Sequence, residues 1–234
     1  MEICVEKSKI IVENPPRQIG FNVLKIIATF FICCIHLLNY GGIFYNASDK
    51  IALKLLFSFI SVCVNVFVLI SGYFLVNSKF SYKKIIKLWV QVFFYSVVTY
   101  IIACFFLKKY LNIEFSVKGL FYACIPILNS RYWFFTAYFI LYLIFPFLNK
   151  ILHNSSQISL VLLLIGLIIL NFFSSNGFKV ENIISIKHGY SIIWFIFLYL
   201  VAGYIRLYPL KTKKPYLFFC VYMHNSYYVA IIFT

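Results

Sequence analysis

The chain has 234 residues, 63% of them hydrophobic and 12% charged, with a mean hydropathy of +0.93. A soluble domain of this length cannot bury that much apolar surface, since soluble chains run near half apolar, so the remaining class is an integral membrane protein. The formal net charge of +15 does not mark a nucleic-acid binder, because Lys and Arg are spread over short segments between apolar runs, the pattern that sets topology in a bilayer.

Residues 1–18 read as a polar cytoplasmic tail. Apolar runs that can cross a bilayer core, or nearly so, follow at about 19–40, 52–76, 85–107, 132–150, 158–174, 189–207 and 215–234. Open strands cannot satisfy their backbones in lipid, so each run is expected to be helical. The predicted fold is all-α, a polytopic membrane bundle of about seven transmembrane helices. A shorter apolar piece, about 117–128, carries Pro126 and reads as re-entrant or interfacial. With the N-terminus in the cytoplasm, the inner side holds Lys25, Lys79, Lys83, Lys84, Lys87, Lys150, Arg206, Lys211, Lys213, Lys214 and the basic residues of the tail, and it outweighs the outer side. Most of the seven cysteines lie in apolar runs without a C-x-x-C spacing and read as small hydrophobes. No metal site is expected.

The first run, "LKIIATFFICCIHLL" from Leu24 to Leu38, contains two groups that are costly to bury, Lys25 and His36. An eleven-residue step is three helical turns, so both face one way, about 16 Å apart along the axis. Gln18, Asn22, Thr29, Cys33 and Tyr40 fall in the same arc. Such a stripe is expected to face a protein interior or a wet cavity. In the second run Ser58, Ser61, Asn65 and Gly72 share a face, and the two faces are expected to meet. Lys25 reads either as a snorkelling side chain near the cytoplasmic headgroups or as a functional cation. His36 lies deeper. Burial would favour its neutral form, which can act as a general base, and function is preferred over a structural histidine. All six acids lie in the tail or outer loops, which argues against a proton relay of intramembrane carboxylates and against a carboxylate pair for glycoside hydrolysis.

After the second run, "SGYFLVNSKFSYKKIIKLW" places Lys83, Lys84 and Lys87 at a helix start. They read as a topology signal or as a phosphate site at the mouth of a cavity. Gly72 is expected to loosen the preceding helix end. Farther on, Arg131, Tyr132 and Trp133 suit an interfacial anchor or an aromatic sugar-binding vestibule.

These pieces together resemble the acyltransferase-3 family of bacterial membrane O-acyltransferases. A basic residue, ten residues, then His opens the family's first helix, and Lys25 and His36 match it with Lys for the commoner Arg. "VNVFVLISGYFL", "KKIIKLW", "YWFFTAYFILYLIFPFLNK" and "GYSIIWFIFLYLVAGYIRLYP" are similar to later family segments, again with Lys for Arg in the second, and the resemblance covers about residues 17 to 218. It implies transfer of an acyl group, usually acetyl from acetyl-CoA, to a hydroxyl of a cell-envelope or exported polysaccharide or lipid-linked glycan. The site it implies has His36 and Lys25 as catalytic residues. Lys83, Lys84 and Lys87 would bind acyl-CoA, and Asn22, Thr29, Asn65, Ser71, Tyr73 and Trp133 would line the site. Acetyl-CoA is then the donor substrate, with no bound cofactor, in the inner (cytoplasmic) membrane. Family members usually have about ten helices, so residues 19–234 are expected to be a transmembrane domain incomplete at its C-terminus. A glycan or lipid-linked oligosaccharide transporter or polymerase, or an inactive remnant, are the competing readings.

Overall fold

The computed structural model describes residues 19–41, 50–107, 109, 114–126, 132–175 and 192–208. The expected span at 215–234 and the tail at 1–18 lie outside these residues. Within them the chain is helical: α1 Ile19–Tyr40, α2 Lys50–Leu75, α3 Tyr82–Phe105, α4 Val117–Cys124, α5 Trp133–Asn154, α6 Gln157–Ser175 and α7 Ile192–Leu207. No strand occurs among the described residues. By length and composition α1, Ile51–Leu75 of α2, α3 and α5 can cross a membrane, while Gln157–Leu170 of α6 and α7 are shorter apolar helices. This is a helical membrane protein.

The core is built by α2, α5 and α7, which run in parallel. Trp194 at the start of α7 meets Asn65, and Arg206 near its end meets Tyr73, so α2 and α7 advance together. Ser71 touches Tyr138 on α5, and Asn149 farther along α5 reaches the Leu75 carbonyl. α1 packs on α2 in the opposite sense, Phe21 against Tyr73 and Phe74, and Phe31 against Phe59. α6 leaves from the end of α7, where Gln157 donates to the Tyr204 hydroxyl.

Small residues allow the close approach of α2 and α7. Gly72 does not loosen a helix end as expected; α2 continues to Leu75, and Gly72 faces α7. A Cβ there would stand 2.9 Å from the Tyr199 carbonyl oxygen and 3.0 Å from the Ala202 Cβ. Gly203 faces Leu152 of α5 in the same way. The last carbonyls of α2 have no partners within their helix; Ser78 of the turn donates its hydroxyl to the Phe74 carbonyl and its amide to the Leu75 carbonyl, and α5 adds two contacts. Asn149 Nδ2 donates to the Leu75 carbonyl at 2.9 Å, and His153 Nε2 lies 3.0 Å from the Val76 carbonyl. Tyr199, fully buried on α7, donates its hydroxyl to Asn149 Oδ1 at 2.7 Å and holds that amide in place. The turn into α3 is thereby fixed to the core.

The piece around 117–128 contains one eight-residue helix, α4, far too short to cross. Ser116 caps it by accepting from the Gly119 amide at 3.0 Å. The Tyr100 hydroxyl donates to the Ser116 carbonyl and accepts from the Ser116 amide, which ties α4 to the end of α3.

Candidate active site

The polar strip of α1 stays continuous in space but does not face the core. α1 buries Ala28 and Leu38 and packs Phe21, Phe31, Ile32 and Ile35 against it. Lys25, Thr29, Cys33, His36 and Tyr40 are exposed and Asn22 is half-buried. The reason is angular: at roughly 100° per residue, the strip lies beside the aromatic face centred on Phe21, Ala28 and Ile32, not on it. Burial of His36 in the bundle is therefore corrected among the described residues. Its ring lies nearly parallel to Tyr40, with centroids 5.9 Å apart and planes at 12°. Thr29 donates its hydroxyl to the Lys25 carbonyl at 2.8 Å, so this candidate lining group is already satisfied by its own helix.

The polar face of α2 likewise does not meet the strip on α1. Ser61 bonds the Phe57 carbonyl of its own helix, and Gly72 is used against α7. Asn65 Oδ1 accepts from Trp194 Nε1 at 3.1 Å. Ser58 Oγ is buried without a hydrogen-bond partner among the described residues. Aromatic faces make the α1–α2 contact, and the polar side of α2 serves α7.

Ser71 gives its one proton to the Phe67 carbonyl at 2.8 Å, so the Tyr138 hydroxyl, 3.2 Å away, is the donor in that second contact. Trp133, at the first turn of α5, sets its ring 6.2 Å from Phe195. Both Ser71 and Trp133 belong to the α2–α5–α7 packing.

The other candidates gather where α2, α5 and α7 end and α1 and α3 begin. Lys83, Lys84 and Lys87 are exposed at the start of α3, with Ile85 between them turned inward. Ser81 precedes this helix and makes no side-chain cap bond. Lys25 Nζ sits over the Phe74 ring, 5.9 Å from its centroid. Tyr73, read only as a lining residue, has a partner the sequence did not show: Arg206 Nη1 donates to its hydroxyl at 2.8 Å, and the guanidinium carbon lies 4.7 Å from its ring centroid. Among the described residues the only carboxylate is Glu114, in the segment before α4, at the opposite end of α3. This end of the bundle is thus cationic without acidic compensation among the described residues. It can hold anions, phosphates above all, by Coulomb attraction and N–H donation.

Arg206, Tyr138, Trp194 and Asn149 are polar participants that sequence reasoning passed over. Arg206 was visible only as a basic residue ending an apolar run; its pairing with Tyr73 joins residues 133 positions apart. No local pattern records that.

The geometry defines a helical membrane protein with an open polar strip on its first helix and a basic end. A family model described as an acyltransferase domain, acyltransferase-3, matches residues 18–233. The chain belongs to that family, and the match supports membrane acyltransferase activity. The match also extends past residue 218, where the resemblance read from the sequence stops. Comparison with curated proteins and with solved structures gives no match.

Proposed function

We propose that the protein is an O-acyltransferase of the cytoplasmic membrane, with its N-terminus inside. It moves an acetyl group from acetyl-CoA to a hydroxyl of a cell-envelope or exported polysaccharide. The observation that carries this reading is the placement of Lys25 and His36 on one open strip of α1 in a chain of this family. An exposed imidazole has room for both reactants. His36 takes the proton of the acceptor hydroxyl, and the oxygen attacks the thioester carbonyl. The carbon–sulfur bond breaks as the ester carbon–oxygen bond forms, and the proton passes to the departing thiolate of CoA. General-base help of this kind contributes about 10²–10⁴-fold. Lys83, Lys84 and Lys87 attract the donor's phosphates at the cytoplasmic end, and Lys25 stands three helical turns from His36 toward the start of α1.

The test is label transfer. Membranes containing the protein, or its His36→Ala variant, are given acetyl-CoA labelled in the acetyl group, and label in glycan is counted. Incorporation by wild type that is lost in the variant is the expected result. Equal incorporation by both removes His36 from the chemistry.

A further inference from the structure

Among the cations at the end of the bundle where α1 begins, Arg206 has contacts that topology alone does not explain. Arg206 comes from α7, the most buried helix, yet its side chain emerges and is held in two ways at once. Its guanidinium lies over the Tyr73 ring, and one N–H bonds the Tyr73 hydroxyl. Phe21 of α1 packs on both Tyr73 and Phe74, with centroids 5.1 and 5.0 Å away, and Lys25 lies over Phe74. Three aromatic rings therefore form one platform with a cation seated on each of two of them. Gly72, beside Tyr73, lets α7 approach α2 closely, and Arg206 of α7 reaches the Tyr73 ring there.

A guanidinium stacked on a ring and tied by one N–H is pre-oriented, and its remaining N–H groups, which have no partner among the described residues, can make a fork. That fork matches phosphate oxygens, and an ammonium nearby adds a point charge of the same sign. A snorkelling arginine that served only orientation would need neither the ring nor the hydroxyl.

We propose that Arg206, positioned by Tyr73, forms with Lys25 a phosphate-binding site at this end of the protein, which takes the phosphate-bearing part of the acyl donor. The identity of that ligand rests on the function proposed above. The phosphate chemistry does not, because an anionic lipid headgroup presents the same oxygens.

The experiment uses the full chain in nanodiscs of phosphatidylcholine, with affinity measured for inorganic pyrophosphate and for CoA. A third arm measures retention of phosphatidylglycerol by native mass spectrometry. Arg206→Gln is expected to weaken pyrophosphate and CoA binding about tenfold or more, the worth of hydrogen bonds to a charged group. Tyr73→Phe keeps the ring but loses the acceptor, and is expected to weaken both by about threefold. Lys150→Gln, which removes an exposed charge of the same sign from the end of α5, should change neither. Loss of pyrophosphate and phosphatidylglycerol binding with CoA binding intact upholds the site and assigns it to a headgroup. Wild type that binds pyrophosphate but not CoA also upholds it, and removes the donor proposed above. Unchanged affinity in all three arms for an Arg206→Gln protein of native melting temperature overturns the proposal. If that variant melts early, Arg206→Lys is read instead, and full wild-type affinity there overturns the fork.

Discussion

α1 and α7 both pack on α2, and both are apolar helices carrying a basic residue toward the same end of the bundle. Their roles differ. α7 buries Trp194, Phe195, Phe197, Leu198, Tyr199, Leu200, Ala202 and Gly203, whereas α1 buries Ala28 and Leu38. The 18-residue apolar window of α1 is 11% buried and that of α2 44%. The helix that carries the candidate chemistry is thus not the helix that carries the packing. Such a division leaves His36 outside the packed core, while α1 is held against α2 by its aromatic face.

Substitutions on the two helices should therefore fail in different ways. The largest expected effect is on α1: His36→Ala should lower acyl transfer by about 10²–10⁴-fold while its melting temperature in nanodiscs stays near wild type, since the ring is exposed. A variant that melts early would mean that His36 is structural and that α1 and α7 are not divided in this way. Gly72→Ala should show the converse, with stability falling by about 1–3 kcal/mol in equilibrium unfolding, because the added Cβ meets backbone atoms of α7 that cannot rotate aside. Gly203→Ala should cost less, since the atom it meets is the end of the Leu152 side chain. Equal losses at the two glycines would show that the α2–α7 contact is not the tight one.

The combined change of Lys83, Lys84 and Lys87 to Gln should raise the donor KM several-fold at low salt and leave kcat nearly unchanged. The difference should shrink as ionic strength rises, as expected for exposed charges. No salt dependence would separate these lysines from donor binding. The smallest effect is predicted for Trp194→Phe, which keeps an aromatic side chain but removes the indole N–H and leaves Asn65 Oδ1 without its donor. A loss of about 0.6–1.5 kcal/mol is expected, the range for one interhelical hydrogen bond in a membrane, with acyl transfer reduced no more than stability explains. A large activity loss with intact stability would instead bring Asn65 into the site.

Much of this was legible before any fold was known. Composition excludes a soluble domain, and the lengths of the apolar runs place the long helices to within a few residues among the described residues. A step of three turns puts Lys25 and His36 on one strip because helical geometry is local and constant. The same periodicity shows that α2 has a polar face. It does not say what that face meets, and the expected meeting with the strip on α1 does not occur. Lipid is as apolar as Leu or Phe, so hydropathy cannot distinguish a face turned to lipid from one turned to a neighbouring helix. Only the assembled bundle shows that Phe21, Phe31 and Ile35 are the contact face of α1, that Asn65 and Gly72 serve α7, and that Arg206 reaches Tyr73. Each of those outcomes joins residues far apart in the chain, and close packing of α2 against α7, permitted at Gly72, is what brings them together.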